Sequence, residues 1–157
     1  MSLNIAPVYG KQYIRYAETF EAATDTQAGD IGTVEIGEFR AVHYAVYAGA
    51  NKVAPGSAFT AQPEEIVGVN QAYIPTALAQ PYTARQASVA TSGLLLVEVD
   101  PAATLTAITL NSQLEIDTAG RAVAPGDGTA VTLNNTKPLI REQIGIGGRK
   151  FVLVSFA

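Results

Sequence analysis

The stretch Ser88–Val99, SVATSGLLLVEV, decides the fold together with Leu110–Ala122, LNSQLEIDTAGRA, which follows it closely. Val89 begins a predicted strand and Gly93 bends it. The run Leu94–Val99 continues the strand and is apolar enough for both of its faces to be buried. The first stretch therefore predicts a long strand at the centre of a β-sheet.

The second stretch predicts a strand and a tight turn. Apolar and polar side chains alternate over Gln113–Asp117, as on a strand with one buried face. The strand ends at Asp117–Ala122, where Gly120 occupies a position that tolerates a positive φ. Short strand patterns between glycine and proline turns recur along the chain, without a long 3.6-residue periodicity. The sequence therefore predicts an all-β fold, a small β barrel or sandwich.

Three segments between the predicted strands have other patterns. Gly49–Gly56 is predicted to be a loop, and Asn70–Arg85 a long irregular segment. Asp100–Thr106 is predicted to form one or two helical turns, with Asp100 as the N-cap and Pro101 as the first helical residue. A loop as long as Asn70–Arg85 within a compact domain is usually functional or a contact surface.

The composition describes a globular chain with a neutral surface. Its 157 residues fit one domain, and 48% of them are hydrophobic. Only 15% are charged, below the usual quarter or so, so a surface suited to broad contact with other proteins is expected. The net charge of −4 comes without a basic stripe, which argues against binding to nucleic acid.

Several classes of site are excluded by missing residue types or segments. The chain has no cysteine, which removes disulfides, thiolate metal sites and cysteine nucleophiles. The longest apolar run, Gly93–Val97, is too short to span a bilayer, so no membrane partner is expected. The first residues show no signal-peptide pattern. Synthesis and assembly in a cytoplasm are therefore expected.

No catalytic, metal or cofactor site is predicted. The single histidine, His43, lies in an apolar and aromatic stretch, where packing on a strand is expected. A hydrolase would have to use His43, but the sequence lacks the Gly-x-Ser-x-Gly elbow that presents a nucleophilic serine. Glu64 and Glu65 are adjacent on a predicted strand, so they point to opposite faces and cannot act as an acid/base pair. We therefore expect the protein not to be an enzyme.

Residues 1–23 are predicted to be a docking arm ahead of a β domain over residues 24–157. The arm carries four aromatic residues at spacings of four, three and four: Tyr9, Tyr13, Tyr16 and Phe20. These spacings place them on one stripe of a helix, whereas Pro7 and Gly10 favour an extended arm, and both conformations stay open. The alternative to docking is a terminal element that packs on its own domain.

The order of these segments resembles that of the cement, or head-decoration, proteins of tailed bacteriophages. The similarity extends from about Ala28 to the C-terminus, over the following segments: Ala28–Asp30, Ile66–Val69, Val89–Val99, Leu114–Ala122 and the last apolar strand. The long segment Asn70–Arg85 and the aromatic arm depart from the family's pattern. The resemblance implies a β-tulip-like body on the outside of a virion capsid, assembled in the host cytoplasm and present as a homotrimer.

The resemblance also implies a partner, the major capsid protein, whose neighbouring subunits the arm would clamp together. Docking is expected through the four arm aromatics, with Asn70–Arg85 as a second contact loop through Tyr73, Tyr82 and Arg85. A different class of function is a carbohydrate- or receptor-binding β module of a phage fibre or tail. That alternative predicts a groove lined by Tyr73, Tyr82 and nearby Asn or Gln side chains.

Overall fold

A computed structural model of the chain describes residues 13–23, 35–45, 52–56, 66–75, 85–109, 113–130, 141–144 and 149–156. These residues contain ten strands and one short helix: β1 (Tyr13–Ala22), β2 (Ala41–Tyr44), β3 (Lys52–Pro55), β4 (Ile66–Asn70), β5 (Gln86–Glu98), α1 (Leu105–Thr109), β6 (Glu115–Ile116), β7 (Ala122–Val123), β8 (Thr129–Ala130), β9 (Arg141–Ile144) and β10 (Lys150–Phe156). The predicted all-β class is confirmed. Seven strands form one sheet in the order β1-β3-β2-β4-β5-β10-β9, and β7-β6-β8 form a second.

β5 is the central strand of the larger sheet, as the sequence predicts. Along one edge it pairs first with β4 and then with β10, and along the other edge it pairs with β1, all antiparallel. Gly93 has a φ of 123° and lies where the strand passes from its first set of partners to β10. Residues 95–99 are all buried, which confirms the prediction that this apolar run has two covered faces.

β1 joins the predicted arm to the predicted body. It pairs with β5 from Tyr13 to Glu21, and its last residues pair in parallel with β3. The pairings therefore run in a circuit from β1 through β3, β2, β4 and β5 back to β1. A helix over this part of the arm is wrong, and the extended alternative is right, because a long edge of β5 is available to pair with it.

The apolar side chains form two main clusters. One lies where β5 and β10 meet α1 and the β6–β7 turn, and includes Leu95, Ile116 and Val152. The other lies among β1, β2, β3 and the start of β5, and includes Phe20 and Val53. β5 contributes to both clusters, so it connects the two parts of the core.

The turn between β6 and β7 has the predicted geometry. One carboxylate oxygen of Asp117 accepts hydrogen bonds from the amides of Ala119 and Arg121, each at 2.9 Å. Gly120 has a φ of 83°, as expected for its place in the turn. A Cβ there would lie 2.3 Å from the carbonyl oxygen of Ala41, so the turn contacts the start of β2 closely.

Two of the expectations for the connecting segments are wrong. The expected loop Gly49–Gly56 contains β3, because its residues pair with β2 on one side and with the end of β1 on the other. The helical turn begins at Leu105 rather than at Pro101. The Asp100 carboxylate accepts a hydrogen bond from the amide of Ala102, so it stabilises a preceding turn instead of capping the helix.

Candidate functional site

The first surface of interest is formed by residues 14–19 of β1, called here the β1 surface. These residues are exposed on both faces of the strand, including Ile14 at 44% and Tyr16 at 66% exposure. One edge of this segment pairs with β5. Among the described residues no strand pairs with its other edge, because β3 reaches only Glu21 and Ala22. The β1 surface is therefore an exposed strand edge with two large apolar side chains.

The four arm aromatics do not share one environment. Phe20 is only 6% exposed and its ring meets that of Tyr44 edge-on, with centroids 5.9 Å apart. Its predicted role in docking is wrong, because β3 joins the sheet at this end of β1 and encloses the inward-facing side chains. Tyr13 begins β1, whereas Tyr9 lies outside the described residues.

Arg85, predicted as part of the second contact loop, is a buried internal clamp. It is 5% exposed, and its guanidinium donates hydrogen bonds to the carbonyl oxygens of Pro75 (2.9 Å) and Ala23 (2.7 Å). Its own carbonyl oxygen accepts a bond from the amide of Ala22. Burial lowers the pKa of Arg85. Its predicted role as an exposed contact is wrong, because these bonds fasten the end of β1 to the sheet.

Tyr73 is the exposed member of that loop, whereas Tyr82 lies outside the described residues. The Tyr73 side chain is 59% exposed, and its hydroxyl donates a hydrogen bond of 3.0 Å to the carboxylate of Glu35. This bond raises the pKa of Tyr73. The next residue, Ile74, forms an antiparallel bridge with Ile36. This bridge links the segment that carries Tyr73 to the segment that carries Glu35.

Tyr73 and Glu35 lie on the wall of a cleft of about 410 Å³. The described residues that line it are mostly charged: Glu35, Gly37, Glu38, Arg40, Pro55, Tyr73, Glu98, Ala119 and Arg149. The cleft is therefore lined by charged groups, and the Asn and Gln side chains predicted for a sugar-binding groove are not among its described residues. Tyr82 and its neighbour Gln80 lie outside the described residues, so the predicted sugar-binding groove stays a prediction.

Glu98 in the cleft is buried between two arginines. Arg40 Nε donates to one oxygen of its carboxylate at 2.9 Å. Arg149 donates to both oxygens, from Nε at 3.1 Å and from Nη2 at 3.3 Å. We call these three residues the Glu98 cluster. Two cations thus neutralise one buried carboxylate, and both guanidinium groups are held in fixed orientations.

The three side chains meet because of where strands begin and end. Glu98 is the last residue of β5 and lies opposite Phe151 of β10, while Arg149 directly precedes β10. Arg149 also lies over the Phe151 ring, 5.1 Å from its centroid. Phe39, just before Arg40, has a φ of 61° and packs edge-on against Phe151 at 5.4 Å. A positive φ is uncommon for a residue with a side chain, and Phe39 lies between Glu38 and Arg40, which both line the cleft.

His43 has the structural role that the sequence predicts. It is fully buried, and its Nδ1 is hydrogen-bonded to the carbonyl oxygen of Gly56. Burial lowers the pKa of His43, and the bond to Gly56 opposes this with a smaller effect. In the described part of the chain no group of three or more His, Asp or Glu residues is arranged to hold a metal ion.

The sequence does not predict the Glu98 cluster. Its members lie 58 and 51 positions apart along the chain, so no local pattern joins them. One signal was available, because Glu98 is the only charged residue in the run Leu94–Val99. A buried charge is rare unless it is paired, so an acid within an apolar strand predicts a basic partner.

No protein-family model, curated protein or solved structure matches this chain. None of the helical structure in the described residues has the length and apolar character needed to cross a membrane.

Proposed function

We propose that the chain is a structural decoration protein that binds the outside of a bacteriophage capsid through the β1 surface. The observation that carries the proposal is the exposed edge of β1, where Ile14 and Tyr16 project beside backbone groups that no described strand pairs. Such an edge can accept a strand of another protein, with backbone hydrogen bonds providing affinity and side chains providing specificity. The major capsid protein is the proposed partner.

The energies involved suit a repeated, individually modest contact. Each backbone hydrogen bond to an added strand contributes roughly 0.5–1.5 kcal/mol. Burial of an apolar side chain of the size of Ile14 adds roughly 1.5–3 kcal/mol. In a homotrimer, which we propose as the assembled form, three such contacts would act together and raise the overall affinity without new contacts.

Co-sedimentation with capsid shells tests the proposal. Shells of the proposed partner, a tailed-bacteriophage major capsid protein, are incubated with the chain, and the fraction of bound chain is measured. The double variant Ile14→Ser, Tyr16→Ser should bind at least about tenfold more weakly, which corresponds to about 1.4 kcal/mol. Circular dichroism should show an unchanged fold, because both side chains are exposed.

Tyr73→Ser provides the matched comparison, because it removes an exposed tyrosine away from β1. Retained binding of this variant, with loss in the β1 double variant, supports docking through β1. Loss of binding by Tyr73→Ser alone would move the docking site to the second contact loop. Failure of the unaltered chain to bind the shells contradicts the decoration function itself.

A carbohydrate-binding module is the second candidate, favoured by the cleft and the exposed ring of Tyr73 on its wall. Its volume falls within the roughly 300–1,000 Å³ of small-molecule sites. An aromatic ring beside carboxylates offers an apolar face and hydrogen-bond acceptors to a sugar. Saturable binding of a neutral or acidic sugar in the cleft, followed by NMR, tests this candidate.

A further inference from the structure

We infer that the cleft binds a sugar acid, a small ring compound with one carboxylate and several hydroxyl groups, whose acid group lies between Arg40 and Arg149. The site is independent of the β1 surface, since none of its described lining residues belongs to β1. The inference rests on the second candidate function and narrows it to a ligand class.

The net positive charge of the Glu98 cluster would bind the acid group of the ligand. Two guanidinium groups face one carboxylate, which leaves one positive charge at this end of the cleft. Among the described residues, Nη2 of Arg40 and Nη1 of Arg149 have no hydrogen-bond acceptor. Hydrogen bonds from a cation to a carboxylate are among the strongest in proteins, and arginine provides them in a fixed planar geometry.

Both arginines are positioned before any ligand arrives. Arg40 donates a further bond to the carbonyl oxygen of Ala119, and Arg149 is held over the ring of Phe151. Binding therefore costs little side-chain entropy at this end of the cleft. The positive φ of Phe39 lies next to Arg40, and strained residues of this kind concentrate at functional sites.

The other wall of the cleft selects for hydroxyl groups and against highly charged anions. Glu35 and Glu38 are exposed there, so the three glutamates and two arginines of the lining leave one net negative charge. A phosphate or another dianion would be repelled by this wall. A single carboxylate with hydroxyl donors fits better, because the hydroxyls can donate to the two glutamates while the ring lies against Tyr73.

Titration with sodium glucuronate, followed by two-dimensional NMR of the full chain, tests the inference. We expect saturable shifts of the amides of Gly37, Glu38 and Ala119. Glucose should bind at least about tenfold more weakly than glucuronate, because it lacks the acid group. Acetate should also bind at least about tenfold more weakly, because it lacks the ring and the hydroxyl groups. The Arg149→Gln variant should weaken glucuronate binding by a similar factor, since it loses a charged donor.

Arg121→Gln is the matched control. Arg121 is also a partly exposed arginine bound to acids, Asp117 and Asp100, but it lies outside the described lining of the cleft. Its replacement should leave glucuronate binding within about twofold. Tyr73→Ala is a second test of the same cleft, for the case in which the Arg149 variant does not fold. Tyr73 is exposed, so its replacement should weaken glucuronate binding without disturbing Glu98.

The possible results separate the two levels of the proposal. Equal binding of glucose and glucuronate overturns the role of the arginines but leaves a sugar site. Equal binding of acetate and glucuronate overturns the role of the ring and hydroxyls. Failure of both sugars to shift the cleft amides removes both the sugar acid and the second candidate function.

Discussion

His43 should make the stability of the protein depend on pH. Its folded-state pKa lies below the ordinary histidine pKa of 6.5 because burial disfavours the charged ring. The unfolded chain therefore binds more protons below that value, and the free energy of unfolding falls as pH decreases. The fall begins near pH 6.5, reaches at most about 1.4 kcal/mol per pH unit, and levels off below the folded pKa.

Urea unfolding measured from about pH 8 to about pH 5 checks this prediction. His43 is the only histidine in the chain, so the part of the slope that a His43 variant lacks can be assigned to it. The His43→Gln variant, whatever its absolute stability, should show a clearly smaller slope at about pH 6. A wild-type protein whose stability stays flat over this range would contradict a buried, neutral His43.

Gly120 should tolerate alanine much less well than Gly126 does. Both have positive φ values, 83° and 91°, so alanine is strained at either position by about 1 kcal/mol. At Gly120 the added Cβ would also lie 2.3 Å from the Ala41 carbonyl oxygen, whereas at Gly126 it would meet nothing within 4 Å. We expect Gly120→Ala to lower the free energy of unfolding by about 1–3 kcal/mol more.

Chemical denaturation of the two variants side by side measures the difference. Gly126→Ala is the control for backbone strain alone. Equal destabilisation of both variants would mean that the β6–β7 turn does not contact β2 as closely as described.

At the scale of elements, the sequence predicts best where neighbouring residues decide the structure. The apolar run of β5 and the Asp117–Gly120 turn are local patterns, and both are found as predicted. β1 could not be settled locally, because its aromatic spacing suits a helix and its partner strand lies about 70 residues further along the chain. The Glu98 cluster could not be predicted for the same reason, since its members come from three separate segments of the chain.

Deletions at the N-terminus should separate a docking segment from a folding element. Removal of residues 1–23 deletes β1, including Phe20 and Ala22, which are buried in the second apolar cluster. Loss of an aromatic core residue costs about 3–5 kcal/mol by itself, so this truncated chain should not fold. Removal of residues 1–12 leaves β1 complete, and we expect a folded protein.

Circular dichroism and one-dimensional NMR distinguish the two deletions. A well-folded chain lacking residues 1–23 would show that β1 is an accessory arm rather than part of the sheet. The chain lacking residues 1–12, if it folds as expected, is the deletion with which to test whether Tyr9 contributes to binding.

The whole molecule should unfold in one step, because β5 supplies both parts of the core. Its first residues, Ala87 and Val89, belong to the cluster with Phe20, while Leu95 and Val97 belong to the cluster with Val152. Neither cluster can open without disturbing the strand that the other one needs. A cavity made in either cluster should therefore lower the stability of the entire chain.

Val53→Ala and Val152→Ala make the same chemical change in the two clusters, at positions that are both fully buried. Each should lower the free energy of unfolding by about 2 kcal/mol, from lost burial and from the cavity left behind. Far-UV circular dichroism follows the strands, and near-UV circular dichroism follows the tyrosines, among them Tyr44, which contacts Phe20. The two signals should change at the same denaturant concentration in both variants, because β5 belongs to both clusters. If Val53→Ala shifted the tyrosine transition alone, the two clusters would be separate folding units and β5 only a covalent connection between them.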